Sequence, residues 1–412
     1  MTGALAPVLV ALLVEGATFD ADLGLRLDSL TSTIEDVRVS PATRTGLSAL
    51  GTAAAIVDTS PLRYTATYSP RVWTSDVEAQ PKPLLNQALD GTVETQPDGS
   101  WRLVLGAGGA RGSTGPLVQA SGVAAGTTAR PVQVPTTDSV TFEEVYGRVG
   151  LEVPLGLRTK LTGTAGGQAS RTIGADAALA PLQRGVSLSF GLSRLLTERD
   201  TLDTSVGAGR TVTDVSAGGS TRSESVTALA TWHRRLTPSV EGWLGAGASW
   251  LRTGDVPAGA RASIEPAGEV GVRTANDART ATASAVVRAT TFVDRFTGVV
   301  SPAIDARCDV GWRATDRLSF AVTAAGGART DGSTTVATAT ARVGWLLREA
   351  LSLEAGVMGF EQHETVASRP SFVEAAVFAS LVYRRDRIFG NAPPPGVDRA
   401  SAGLEGDPGK AR

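Results

Sequence analysis

The chain has 412 residues, 47 of them glycine, and a formal net charge of -2 at pH 7. Length alone would allow roughly two or three soluble domains, but no shift in composition marks a boundary. The near-neutral balance lacks the basic stripe of a nucleic-acid partner, the single cysteine Cys308 excludes an internal disulfide, and His233 and His363 are too few for a His-rich metal centre.

The N-terminus carries the one long apolar run, ALAPVLVALLV over 4–14. It is too short to cross a bilayer as a helix, which takes about 20 residues. It fits the apolar part of a secretory signal with a cut near Ala17, although the usual basic flank is missing. Residues 1–17 are therefore expected to be a signal peptide. Beyond them no helical membrane segment is found.

Two weakly patterned stretches, 18–34 and 46–58, are followed by a clear one. LRYTATYSPRVW (62–73) alternates Leu62, Tyr64, Ala66 and Tyr68 with Arg63, Thr65, Thr67 and Ser69. The same period of two runs through 143–153, 157–168, 240–250, 264–273, 280–290, 303–313, 318–327, 338–347 and 373–385. It is the mark of a strand with one apolar and one polar face. Leu229, Val286 and Phe378 break the alternation.

The connections take turns. Tight ones fall at 97–100, 153–156, 197–200, 236–239, 275–278, 314–317 and 348–351, and looser ones at 113–140, 171–184, 213–223, 253–261 and 364–370. A meander of up-and-down strands would carry all tight turns on one side and all loose loops on the other. Counting back from the last strand gives about 18 strands, or about 16 if 18–34 and 46–58 fail. These segments reach about 10 residues, longer than the 5–6 of average soluble strands. A sandwich would show Greek-key irregularity rather than a steady meander. The expectation is an all-β, closed antiparallel up-and-down transmembrane barrel over 18–387, with short periplasmic turns and longer extracellular loops, in the bacterial outer membrane. The Pro/Gly-rich segment 388–412 is expected to be a disordered periplasmic tail, and Tyr383 is the candidate terminal assembly signal.

Trp101, Trp232, Trp250, Trp312 and Trp345 share the apolar parity near strand ends, as two interfacial girdles would. On the polar parity stand Arg148, Arg158, Lys160, Arg273, Arg288, Arg307, Arg313 and Arg342, against Glu144, Glu152, Glu241, Glu265, Glu269, Asp305, Asp309 and Glu354. Buried in a solid core these charges would each cost several kcal/mol unless paired, so they are expected to line an aqueous bore. Two roles fit them: cross-strand ion pairs that stiffen the wall, and a mixed-charge track for a hydrated solute. The balance of signs argues against strong ion selectivity.

Enzyme chemistry is not indicated. GAGGARG (106–112) lies within a strand and lacks a following Gly-Lys-Ser/Thr, which removes the phosphate-loop reading. It, GAGRT (207–211) and GAGAS (245–249) are read as small residues that keep a pore open. Glu265 and Glu269 are too far apart along one strand to form a catalytic pair, and neither a metal site nor a cofactor is implied. The 113–140 loop could fold into the bore or lie outside as a flap.

The meander resembles Gram-negative outer-membrane porins. LRYTATYSPRVW (62–73) and VEAAVFASLVYRR (373–385) are similar to segments of barrels of about 18 strands, some proposed as exopolysaccharide-export channels. That resemblance implies contact with outer-membrane lipid, delivery by the barrel-assembly machinery and a separate periplasmic polysaccharide-export protein as partner. It implies a passive channel with a polysaccharide strand as cargo, which Thr162, Thr164, Thr282, Thr338 and Thr340 could hydrogen-bond weakly. A general diffusion porin and a non-conducting structural barrel are the alternatives.

Overall fold

A computed structural model describes residues 17–34, 42–59, 62–75, 84–95, 101–114, 140–173, 182–215, 219–254, 261–276, 280–293, 299–365 and 371–389. The expected signal peptide before Ala17, the 113–140 loop except its strand ends, and the tail beyond Phe389 lie outside those residues.

Eighteen strands follow one another: β1 (Ala17–Ile34), β2 (Ala42–Thr59), β3 (Leu62–Ser75), β4 (Leu84–Thr95), β5 (Arg102–Thr114), β6 (Val140–Pro154), β7 (Thr159–Ile173), β8 (Gln183–Leu195), β9 (Asp200–Val215), β10 (Gly219–Thr237), β11 (Val240–Gly254), β12 (Arg261–Ala275), β13 (Ala281–Val293), β14 (Val300–Arg313), β15 (Leu318–Arg329), β16 (Thr334–Arg348), β17 (Leu351–Glu364) and β18 (Phe372–Phe389). Both weakly patterned N-terminal stretches are strands, which settles the number at 18 rather than 16. Each strand pairs antiparallel with the next in the chain. β1 pairs with both β2 and β18, with Leu25 opposite Ala49 on one side and Leu381 on the other, so the sheet closes on itself. Closure leaves no free edge strand with unpaired N–H and C=O groups in hydrocarbon, apart from one partly open join.

Local chemistry sets the tight turns. In TERD, the Thr197 hydroxyl donates to Asp200 Oδ2 at 2.6 Å and accepts from Asp200 N and Arg199 N at 3.0 and 3.2 Å. Thr315 does the same for Arg317 N and Leu318 N in ATDR. Gly156, with φ 134°, supplies a backbone conformation that L side chains rarely adopt in the turn between β6 and β7.

The loose side is less uniform than the sequence suggests. The 213–223 loop is mostly strand: Thr213–Val215 belongs to β9 and Gly219–Ser223 to β10, so the connection is only 216–218. Its run of Thr, Ser and Gly reads as loop, but Thr213 and Thr221 face inward and are buried, and the ladder Thr221 to Thr213 holds them. The last strand also continues past 387 to Phe389, which pairs with Phe19, so Tyr383 is not the strand terminus.

One join differs from the others. β12 pairs with β13 only from Gly268–Ala289 to Ala275–Thr282, so β12 from Arg261 to Ala267 has no β13 partner. Pro266 stands two residues past the last pair and has no N–H to extend a ladder. The released end of the β13–β14 hairpin turns into the barrel. There Val300 N donates to the inward-facing Thr253 Oγ1 of β11 at 3.2 Å, and Leu251, Val300, Ser301 and Ala303 are all buried.

Candidate pore lining

Register carries the two faces around the ring. Leu188, Val206, Val226, Ile304, Val310, Val322, Val357, Val377, Leu23 and Leu25 point outward and are exposed. Such a belt of bare aliphatic side chains is suited to hydrocarbon, not water. Trp101, Trp232, Trp312 and Trp345 lie on this face at the short-turn rim, each at least 40% exposed. Trp250 also faces outward, but toward the loop end, opposite Val226 and Ile264. Of these five, therefore, four crowd one rim and the two expected girdles are unequal.

The inner face holds the charges. Glu144, Arg148 and Glu152 on β6, Lys160 on β7, Glu241 on β11, and Glu265, Glu269 and Arg273 on β12 lie there. Arg288 on β13, Asp305, Arg307, Asp309 and Arg313 on β14, Arg342 on β16 and Glu354 on β17 complete the set. Arg158 does not: it sits in the 155–158 turn, where its carbonyl accepts from Leu195 N, and so is on no strand face. The alternation of β7 begins only at Thr159, one residue later.

Near the short-turn end the inner charges form a nearly continuous row across nine strands. Glu94 contacts Arg102, and Arg102 stands opposite Glu152, which lies 3.2 Å from Lys160. Ser193 separates Lys160 from Asp203. His233 then bridges Asp203 at 3.2 Å and Glu241 at 3.4 Å, and Arg273 meets Glu241 at 2.7 Å. Acid and base alternate, so each charge has an opposite neighbour and the row is close to neutral. Trp243 points inward here, stacked on His233 with centroids 6.0 Å apart. Its odd position, two residues from Glu241 on the polar parity, is the signal in the sequence that marks it as inward.

A second set lies deeper. Glu269 accepts from Arg288 at 3.1 Å and from the Thr231 hydroxyl at 3.0 Å, reaching across β11 above Gly245. A Cβ at Gly245 would meet Thr231 Oγ1 at 2.6 Å, so the glycine is what lets β10 and β12 side chains join. Arg307 pairs with Asp309 along its own strand at 2.7 Å, and Asp309 also accepts from Thr323 at 2.9 Å. Gly106 and Gly108 serve similarly. The Arg148 side chain lies over Gly106, while Asp90 and Tyr146 lie over Gly108, within 2.7 Å of where a Cβ would stand. These glycines let polar side chains lie flat on the wall, a more specific use than simply widening the bore.

Toward the loop end the inner face changes character. Thr213 is 0% exposed, Leu251 and Gln362 2% and Phe360 3%. The bore is open and charged at the short-turn end and closely occupied at the other.

A closed ring of 18 strands, aliphatic outside and charged within, decides the architecture. It is that of an 18-stranded outer-membrane-type β-barrel. No protein-family model matches this chain, and no curated protein matches it. Solved Occ/Opd porins are similar to it in fold. OccAB4 of Acinetobacter baumannii is 10% identical, with a TM-score of 0.46 over 90% of this chain and 99% of that one. OccK2 (OpdF) of Pseudomonas aeruginosa, crystallised with glucuronate, is 11% identical, with a TM-score of 0.47 over 89% and 98%. OpdL of Pseudomonas aeruginosa is 13% identical, with a TM-score of 0.43 over 89% and 99%.

Proposed function

We propose that the chain is a passive channel in the bacterial outer membrane for small hydrophilic solutes. The reading rests above all on the alternating row from Glu94 to Arg273: charged side chains, each paired yet still partly open to the bore. Such a wall offers weak, exchangeable contacts to a hydrated solute and does not trap it. Its neutrality fits a solute without a strong sign preference.

The narrowing at the loop end favours a small solute over a polysaccharide strand. A polymer must fit its whole length through the tightest section, and there Leu251, Val300 and Ala303 are all buried where the end of β14 reaches Thr253 inside the barrel. Small molecules need only a gap of their own width. The test is conductance and liposome swelling with the purified, folded barrel. Ion conductance and entry of monosaccharides with exclusion of longer oligosaccharides is the expected result. A folded barrel that gives no channel events would favour a structural role, and free passage of long oligosaccharides would return the export reading.

A further inference from the structure

The outer face carries a second charged surface, and parity hides it because these residues share the lipid-facing positions. At the loop end of β5, β6 and β7, Glu143 lies between Arg111 at 3.4 Å and Arg171 at 2.8 Å. On β8 and β9, Arg184 meets Asp214 at 3.5 Å. On β9, β10 and β11, Arg210 stands opposite Glu224 and Glu224 opposite Arg252, with Arg222 also bound to Glu224. Six arginines and three carboxylates thus share one outward band over seven consecutive strands. The arginine side chains are far from spent on these pairs: Arg111 is 69% exposed, Arg184 59%, Arg171 55% and Arg252 51%.

The height of the band is informative. Arg171 is twelve residues from Thr159 (171 − 159) and Arg252 twelve from Val240 (252 − 240). At ~3.4 Å per residue and a ~40° tilt that is about 30 Å, just beyond an apolar band about 25 Å tall. Directly below the band on the same face stand Val145, Val186, Val226 and Trp250. Across β15 to β18 the outward positions at this level include Ala328, Ala337 and Ala375, and none of the described ones is arginine.

We propose that this arc binds the phosphate-bearing headgroups of an anionic glycolipid in the outer leaflet, its acyl chains lying on the aliphatic belt beneath. The proposal rests on the outer face being a lipid surface. An arginine fork binds two phosphate oxygens at once and remains charged at any physiological pH. The net excess of three cations favours anionic headgroups on this side of the barrel. The three carboxylates hold the arginines in a row and compete weakly for them.

Native mass spectrometry of the detergent-solubilised barrel tests this, in EDTA so that divalent cations cannot bridge. The probes are bisphosphorylated lipid A, its dephosphorylated form and inorganic pyrophosphate. Wild type should retain the phosphorylated lipid at least about tenfold better than the dephosphorylated one. Pyrophosphate alone should not displace it; full displacement would mean a free-phosphate site and overturn the lipid assignment. R171Q/R184Q/R210Q/R252Q should lose the preference, and E143Q/E224Q, which removes competing carboxylates, should strengthen it. Equal retention of both lipids, or an unchanged preference in both variants, would overturn the proposal. Conductance of the same samples separates the two ideas: a conducting barrel that ignores lipid phosphate defeats only this one, and a silent barrel that retains it defeats only the channel.

Discussion

If the inner row lines the conducting path, reversing one of its charges must change ion selectivity by an amount set by distance and salt. Arg273→Glu is the informative change, because Arg273 is 41% exposed to the bore and neutralises Glu241 at 2.7 Å. The substitution shifts the local charge by two units, from a balanced row to an acidic one. A monovalent ion passing ~7 Å away in water-like dielectric feels about 0.6 kcal/mol per unit charge, so about 1.2 kcal/mol in all. At 0.01 M salt, where the Debye length is about 30 Å, roughly 1 kcal/mol survives; at 1 M, where it is about 3 Å, about 0.1 kcal/mol does.

The effect has opposite sign for potassium and chloride, so it counts twice in their permeability ratio. That ratio should rise more than about tenfold at 0.01 M and less than about twofold at 1 M. The assay is the reversal potential of single channels in planar bilayers under a KCl gradient, at low and high mean salt. Arg273→Gln, which shifts the charge by one unit, should give about half the free-energy change. A reversal potential unmoved at low salt in a folded, conducting variant would mean that ions do not pass this wall. A shift independent of salt would mean that the variant reshaped the barrel.

Further outcomes follow from single positions. Cys308 is exposed on the outer face and Arg307 points into the bore. In liposomes, Cys308 should resist a membrane-impermeant maleimide, whereas R307C in a C308S background should react; equal labelling would refute the assignment of faces. Gly108→Ala places a Cβ 2.5 Å from Asp90 Oδ1 and 2.8 Å from the Leu89 carbonyl, whereas Gly150→Ala meets nothing nearer than 3.9 Å. Urea unfolding should show about 1–3 kcal/mol lost for the first and little for the second. With Cys308 replaced, T253C/V300C should cross-link under mild oxidation, and I264C/V293C, the pair a continuous β12–β13 ladder would align, should not. Around Asp331, in the turn between β15 and β16, burial raises the carboxyl pKa. Hydrogen bonds from Ser333 and contact with Arg329 more than offset this and leave it below its ordinary value. A depressed folded pKa gives stability that is complete above the unfolded value of about 3.9 and lost as pH falls through the folded one. D331N should therefore unfold more readily than wild type in urea at pH 7 and lose that difference in strong acid.

The barrel was legible because each strand meets two solvents. A one-residue shift exchanges every side chain between them, so patterns such as Ile304, Ala306, Cys308 and Val310 against Asp305, Arg307 and Asp309 persist from strand to strand. What parity cannot give is the partner. Arg307 binds Asp309 on its own strand, while Glu241 gathers His233 and Arg273 from both neighbours, and only register decides which. Parity also presumes that everything inside is wet. Leu251 faces inward yet is buried, because the end of β14 turns into the bore at its level, whereas Phe378 is buried with its ring lying over Gly356 of β17. Phe378 was visible as a break in alternation, but its cause was three-dimensional. For Leu251, Pro266 gave a local sign, since a residue without an N–H ends a ladder, but the sequence did not say which ladder.

Arginine carries nearly all the positive charge on both surfaces, and its geometry explains why. Lysine occurs only at Lys82, Lys160 and Lys410. On the inner wall Arg273 directs Nε and Nη2 to one oxygen of Glu241, at 3.1 and 2.7 Å. On the outer rim Arg171 does the same to Glu143, at 3.1 and 2.8 Å. A planar fork held at two points stays flat against a strand, where a flexible ammonium would swing into the bore or away from the wall. Flatness matters inside because a stationary charge can line a path without obstructing it. Outside it matters because the unused N–H groups remain aimed along the rim, at the level where lipid headgroups begin.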